Sequence, residues 1–320
     1  MLAVTADDLP SGAGPAGPPS ADPDRPLAVL VNPTAGRARH SGRLPDVLDR
    51  LATAGRPLRL LDAATPEQAL ARCRAAVADG IAGLVAVGGD GTVHQALQAV
   101  AGTGVPFGPV PAGTGNDFAA DTGFPTDPLA AADTIAAALR DGRTSPVDLA
   151  RMTTADSNVR WFGAVLAAGF DAVVNERANR MRWPRGPRRY DIAIMIELAR
   201  LRPRRYRLVL DGTERYVDAV LVAVGNCASY GGGMRMCPAA DPTDGLLDVV
   251  VVGPVSRTTL VRVKPRLYSG THVTHPMVRT HRAATVELAA DGIVGYADGE
   301  RAGPLPVTVT AVPAAARLLR

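Results

Sequence analysis

Three glycine-bearing turns hold the residues of this chain best suited to chemistry: Asn32-Pro33-Thr34-Ala35-Gly36, Gly88-Gly89-Asp90-Gly91-Thr92 and Gly113-Thr114-Gly115-Asn116-Asp117. Glycine has no Cβ, so backbone N–H groups can close around an anion, and a helix starting just beyond the turn adds partial positive charge. That is phosphate-binding chemistry. A single Gly-rich strand-to-helix turn is common without any ligand; three in one stretch of chain carry more weight. Asp90 sharpens the reading. A carboxylate inside a phosphate cradle repels the phosphate unless a divalent cation lies between them, and Mg2+ is usually held by one or two carboxylates together with substrate phosphates. Asp90 could also cap the helix that opens at Thr92, and the two roles are compatible.

Such turns need strands and helices to position them. Leu27 to Val31, Leu58 to Leu61, Ile81 to Val87 and Phe107 to Val110 read as strands. Leu44 to Leu51, Pro66 to Ala78, Thr92 to Ala101 and Leu129 to Leu139 read as the helices between them. This alternation predicts β-α-β units and a parallel sheet, with ligands outside the carboxyl ends of its strands. The three turns then gather along one sheet edge. After residue 145 the pattern turns β-like, with strands predicted over Val159 to Ala168, Tyr206 to Leu210, Tyr216 to Val224, Leu247 to Val252, Thr285 to Leu288 and Val307 to Val309. Asp211-Gly212-Thr213 reads as a hairpin turn, and one helix, Tyr190 to Leu201, interrupts the series. The expected fold is an α/β domain over 26–145 followed by a mainly antiparallel β-sandwich over 146–304. The segment 305–320 is free to return to the first domain, and residues 1–25 form a disordered tail.

Composition closes off several classes. The 320 residues are 47% apolar and 21% charged, which excludes a wholly disordered chain, a collagen or a coiled coil. Lys264 is the single lysine, and it lies in neither a Walker-type loop nor the early strand of a protein kinase. Cys73, Cys227 and Cys237 have no zinc-like spacing, and their odd number argues against a disulfide framework. The five histidines, His40, His94, His272, His275 and His281, lack ligand spacing too. No apolar run has the roughly 18–20 residues that a membrane-spanning helix needs, and the acidic start is unlike a signal peptide. A cytoplasmic protein is expected.

In their order and intervals, Asn-Pro-x-x-Gly, Gly-Gly-Asp-Gly-Thr and Pro-x-Gly-Thr-x-Asn-Asp-Phe-Ala (Pro111 to Ala119) resemble the catalytic domain of the diacylglycerol kinases. This group includes sphingosine and ceramide kinases, and its fold is related to NAD kinase. Asp244-Gly245-Leu246-Leu247-Asp248 and Ala297-Asp298-Gly299-Glu300 resemble two later motifs, and Gly270-x-His272 is a weaker match. The resemblance extends over residues 27 to about 302. It implies an NAD-kinase-like fold, with ATP and Mg2+ in a cleft between the two domains. The nucleotide would meet Asn32, Pro33, Thr34, Ala35 and Gly36, then Thr65, then Gly88, Gly89, Asp90, Gly91, Thr92, Val93, His94 and Gln95. Gly113, Thr114, Asn116 and Asp117 complete that set. A second, structural Mg2+ would be held by Asp241, Asp244 and the carbonyl of Leu246. Glu300 would accept the proton of the attacking hydroxyl, with Asp298 beside it and Asp90 at the metal. Two departures stand out: His94 and Gln95 replace the usual Asn and Glu, and Thr243 stands where an acid is common.

The expected activity is ATP-dependent phosphorylation of a lipid hydroxyl, most naturally that of diacylglycerol. An NAD kinase-like enzyme, a sphingoid-base kinase and a nucleotide-binding regulator that has lost catalysis remain as alternatives. Arg177, Arg180, Arg182, Arg185, Arg188 and Arg189, interleaved with Met181, Trp183 and Tyr190, form a basic segment that Arg200 to Arg207 extends. It reads as a membrane-binding surface, a nucleic-acid contact or a solvated face, and a lipid substrate favours the first. The expected partners are a lipid at a membrane surface and a second copy of the chain as a homodimer, with no nucleic acid. The expected location is cytoplasmic and peripheral to the membrane.

Overall fold

A computed structural model describes residues 22–31, 43–181 and 188–320. The first glycine turn, Asn32 to Gly36, most of the tail, and Arg182 and Arg185 lie outside them. Strands and helices first alternate: β1 (Leu27–Val31), α1 (Leu44–Ala52), β2 (Leu58–Asp62), α2 (Pro66–Ala78), β3 (Gly83–Gly88), α3 (Asp90–Val100), β4 (Pro106–Pro111), the short α4 (Asp117–Asp121) and α5 (Pro128–Arg140). β2, β1, β3 and β4 pair in that order, all parallel. The apolar runs of β1, β3 and β4 are near-continuous because helices cover the sheet, and β3 and β4 are buried throughout, while the edge strand β2 is largely uncovered. Val31 pairs with Val87 and Gly88 with Pro111, so β1, β3 and β4 all end at one edge.

The second half runs β5 (Ser145–Thr154), β6 (Val159–Phe162), β7 (Val165–Gly169), α6 (Phe170–Arg180), α7 (Arg188–Ala199), β8 (Arg204–Leu210), β9 (Thr213–Ala219), β10 (Leu221–Gly225), β11 (Leu247–Val252) and α8 (Arg257–Ser269). A 3-10 turn over Thr271–Thr274 leads into β12 (Val278–Ala283), β13 (Thr285–Ala289), β14 (Val294–Ala297), β15 (Glu300–Pro304) and β16 (Val307–Leu318). Strands β12, β11, β10, β7, β14 and β15 make an all-antiparallel sheet. It packs against β5, β6, β8, β13 and β16 through one apolar core that includes Met152, Phe162, Leu166, Tyr206, Val222, Val249, Val286 and Val309. This is the expected sandwich. Its second layer is continuous with the first sheet, because β16 is antiparallel to β5 and β13 and then pairs parallel with β4 at Arg317 and Leu318. The first sheet is therefore mixed, parallel at one end and antiparallel at the other.

Three expectations need correction. The strand predicted over Tyr216 to Val224 is two, β9 and β10, which part at Val220 and lie in different sheets. The predicted strand over 159–168 is two strands, β6 and β7, broken around Gly163. The Phe118 ring occupies the space beside Gly163, with Cδ2 only 2.4 Å from where a Cβ would sit. Among the described residues the second half also has three helices and not one. α6 starts directly after β7, at Gly169 with φ +116, and α8 contains a proline, Pro265. The hairpin at Asp211-Gly212 is as expected: both residues have positive φ, 45° and 83°, which a two-residue type I′ turn requires.

Candidate active site

The second and third glycine turns touch backbone to backbone. A Cβ added to Gly113 would lie 2.4 Å from the Gly89 Cα, so only glycine permits this approach. The third turn is closed from within by Asn116, which has φ 65; its Oδ1 accepts from the Gly113 N–H at 3.0 Å and its Nδ2 donates to the Gly113 carbonyl at 3.0 Å. We expect Gly113→Ala to force the turns apart. A misplacement near 1 Å costs on the order of a hundred-fold in rate, so turnover in a reaction that uses both turns should fall by about that factor, as steady-state kinetics would show.

Asp90 does not cap α3. Gly89 is the N-cap residue, and the Asp90 carboxylate turns outward to accept the Asn116 N–H on Oδ2 and the Asp117 N–H on Oδ1, each at 2.8 Å. It thus ties the second turn to the third. Asp117 repeats the device across the cleft, its two oxygens accepting from the Gly232 and Gly233 N–H groups at 2.8 and 2.6 Å. Asp121 accepts from the Ser229 N–H at 2.7 Å and from its hydroxyl at 3.2 Å. Two acids of α4, Asp117 and Asp121, thus hold the loop between β10 and β11 over the sheet edge. Burial pushes the Asp90 carboxyl up to about 6, reinforced by the nearby charges of Asp117 and Asp298.

Asp298 and Glu300 share a second type I′ hairpin. Asp298 and Gly299 have φ 51 and 81 and join β14 to β15. The Asp298 carboxylate faces inward, where Oδ1 accepts from the Ala164 N–H at 2.8 Å and Oδ2 from the Gly163 N–H at 3.1 Å. Oδ2 also meets His94 Nδ1 at 3.0 Å. His94, the departure from the family pattern, is therefore a buried link from α3 to the late hairpin, while Gln95 is half-buried on the same helix. Glu300 is exposed, and its Oε1 lies 3.2 Å from where a Cβ on Gly91 would sit. Its carboxylate thus lies over the first turn of α3, where N–H groups lack helical partners. Thr92 and Val93 are buried and Thr114 is exposed. Thr65 caps α2, accepting from the Gln68 N–H, while Gln68 Oε1 accepts from the Ala64 N–H one residue before the cap.

Asp90 suits a hard divalent cation. An ionised carboxylate offers about four lone-pair directions and Asp90 uses two in the turn contacts. The cluster of Asp90, Asp117 and Asp298 would also be relieved by a positive charge. Nucleotide phosphates would have to supply the other ligands, since no group of three or more His, Cys, Asp or Glu among the described residues could hold a metal. Asp241, Asp244 and Leu246 fit a structural cation poorly. Asp241 Oδ1 accepts from the Thr243 N–H and hydroxyl, and the Asp244 carboxylate accepts from the Leu246 N–H and pairs with Arg282.

Reading the sequence alone missed what lies behind these acids. A cavity of about 740 Å3 runs from Asp90, Asp117 and Asp298 between α6, α7 and α8. Its walls include Val174, Ile194, Leu198, Leu221, Leu260 and Leu267. Asp171, hydrogen-bonded to Tyr230, is a further acid in the wall, and burial holds its carboxyl above the usual carboxylate range. The run Gly231-Gly232-Gly233 was the available signal for the loop that Asp117 grips.

Two family models match the chain. One, for the diacylglycerol kinase catalytic domain, covers residues 26–152; the other, for a YegS C-terminal NAD kinase beta sandwich-like domain, covers 164–320. A curated relative from Mycobacterium tuberculosis named diacylglycerol kinase is 46% identical, over 92% of this chain and 94% of that protein. A diacylglycerol kinase from Staphylococcus carnosus is 27% identical, over 87% and 89%. Among solved structures, a diacylglycerol kinase from Bacillus anthracis shares the fold with a TM-score of 0.68 at 20% identity, covering 92% of this chain and 96% of that one. An NAD kinase from Archaeoglobus fulgidus, solved in complex with ATP, gives a TM-score of 0.55 at 14% identity over 92% and 93%.

Proposed function

The chain belongs to the diacylglycerol kinase family, and from that premise we propose that it transfers the γ-phosphoryl group of ATP to the hydroxyl of a diacylglycerol, giving phosphatidic acid. The observation that carries this reading is the cavity: apolar walls that end on a cluster of three carboxylates beside the glycine turns. Its volume lies in the range of ligand pockets, and its lining suits acyl chains. NAD, with a charged pyrophosphate and two riboses, would find few polar partners there. Loss of catalysis is disfavoured by the placement of Glu300 against α3 at Gly91, the residue after Asp90.

Phosphoryl transfer to an alcohol needs positioned phosphates, neutralised charge and a hydroxyl relieved of its proton. Backbone N–H groups of the second turn at 89–91, together with those of Thr114 and Gly115, which the internal bonds of the third turn leave unused, hold and orient the phosphates. Mg2+, when bound beside Asp90, neutralises phosphate charge. The apolar walls orient the lipid and exclude water, and Glu300 Oε1 takes the proton from the hydroxyl as it attacks. His94 and Asp298 fix the hairpin that carries Glu300.

The direct test supplies γ-labelled ATP with diacylglycerol, a sphingoid base, undecaprenol or NAD. Label entering only the diacylglycerol supports the proposal; label in NAD alone refutes it. The cavity adds a second expected result. Val174, 4% exposed, lies in its wall, and Val174→Phe should shorten the space for an acyl chain. Filling a pocket by a few carbons discriminates roughly ten-fold or more. kcat/KM should drop by that much for long-chain diacylglycerol and stay near normal for dioctanoylglycerol. Equal losses on both would place Val174 away from the chains.

A further inference from the structure

The mouth of the cavity differs from the rest of the surface. α8 runs for 13 residues without one buried side chain. Of the eight large apolar side chains exposed among the described residues, four are on the two helices at this mouth: Ile192 and Met195 on α7, Val261 and Tyr268 on α8. Met195, Val261 and Tyr268, from 52% to 66% exposed, also line the cavity. They form its rim, apolar on the inside and apolar toward solvent. Exposed apolar groups gathered around an opening mark an interaction site.

Charge identifies the partner. α8 carries Arg257, Arg262, Lys264 and Arg266 and no Asp or Glu. None of the four is ion-paired with a described residue, whereas Arg177 and Arg180 on α6 are tied to Glu197 and Glu176. The basic segment that the sequence marked over 177–189 thus has part of its charge neutralised within the protein. α8 keeps all four of its cations free of ion pairs with described residues, and Arg200 and Arg202, just past α7, are likewise unpaired among them. A helix with cations beside exposed Val and Tyr is built for the interface of an anionic bilayer, where charge attracts and apolar tips insert. We infer that α7 and α8 dock this protein on an anionic membrane surface, so that Met195, Val261 and Tyr268 open the cavity directly into the lipid phase.

This inference rests on the reading of the cavity as a lipid site, and it adds a physical necessity. A diacyl lipid crossing water to reach an apolar cavity would expose every methylene of its chains, at a cost that grows with each one. A mouth seated in the interface removes that step. The same seating explains why apolar side chains at the rim are left uncovered.

The test uses the full chain and vesicles without diacylglycerol or ATP. Flotation with phosphatidylcholine vesicles containing about a third phosphatidylglycerol should carry the protein, pure phosphatidylcholine should not, and added salt should weaken binding, because attraction is screened within roughly 8–10 Å. Arg257→Glu with Arg262→Glu, two positions outside the cavity lining, should lower vesicle partitioning at least ten-fold. That double variant should keep its kcat/KM on dispersed dioctanoylglycerol and lose it on diacylglycerol presented in anionic vesicles. Val261→Asp should also release the protein from vesicles. Unchanged partitioning of these variants overturns the inference. So does tighter binding to a duplex oligonucleotide than to vesicles, or a solution dimer that the same variants dissociate. If vesicle binding behaves as expected but no lipid is phosphorylated, the kinase proposal fails and the docking face stands. If lipid is phosphorylated and vesicle binding ignores α8, the reverse holds.

Discussion

Asp90→Asn is expected to lower kcat/KM by a hundred- to thousand-fold or more, the scale of removing a group that stabilises transition-state charge. Two losses combine. The charge that a cation beside the phosphates needs is gone, and the isosteric amide is not isosteric in hydrogen bonding. Both Asp90 oxygens accept backbone N–H groups, from Asn116 and Asp117. Asparagine turns one acceptor into a donor facing one of those N–H groups, so the third turn must shift. Circular dichroism should show an intact fold, and the Mg2+ dependence of the residual rate should move to higher concentration. Activity within a few-fold of normal would remove Asp90 from both roles.

The same carboxylate sets a pH dependence. Its pKa in the folded protein is raised, to about 6, by burial first and then by Asp117 and Asp298. The folded state therefore holds this proton more tightly than the unfolded chain does. Its contribution to stability is present below about pH 4 and is lost as pH rises through about 6. Above that, the ligand-free protein carries an uncompensated buried charge. ATP with Mg2+ should consequently raise the melting temperature more at pH 7.5 than at pH 5, where the group must first give up its proton. Differential scanning fluorimetry at the two pH values checks the sign. In Asp90→Asn the difference should largely disappear.

Sequence patterns made the framework legible because its signals are local. Glycine between an apolar run and a helix start, and Asp-Gly between two β-like runs, dictate backbone geometry within five residues. The turns at 88–92 and 113–117, and the hairpin at 211–212, were readable for that reason. What each carboxylate touches was not. Asp117 grips glycines more than a hundred residues away, and Asp298 reaches His94 from the far end of the chain. Nothing at either end of those contacts encodes the other. The cavity was hidden for a related reason, since its walls come from three helices of which sequence pattern exposed only α7. In α8, Thr258, Thr259, Val261 and Val263 are β-branched and Pro265 removes a backbone donor, all against helix. The Ser256 cap, accepting from the Thr259 N–H, and packing of Leu260 and Leu267 against the cavity prevail.

Division of labour in the late hairpin gives the second large effect. Asp298 has both oxygens engaged by the Gly163 and Ala164 N–H groups and by His94, which suits holding and not proton transfer. Glu300, two residues on, faces the opposite way and is exposed over the first turn of α3. If Glu300 takes the proton of the lipid hydroxyl, Glu300→Gln should lower kcat by roughly a hundred- to ten-thousand-fold. The proton leaves only as the oxygen attacks, so the group acts in the transition state and KM for ATP should barely move. Gly91→Ala supplies an independent check, because its new Cβ would lie 3.2 Å from Glu300 Oε1 and push the carboxylate aside. It should reduce kcat in the same direction, by less, and add little to the loss in the double variant. Asp298→Asn should differ in kind. It disturbs the links to β7 and to His94, so it should lower thermal stability along with rate, whereas Glu300→Gln should leave the melting temperature nearly unchanged. Full turnover in Glu300→Gln with weaker lipid binding would make Glu300 a binding residue and leave the base to be sought among the three acids at the end of the cavity.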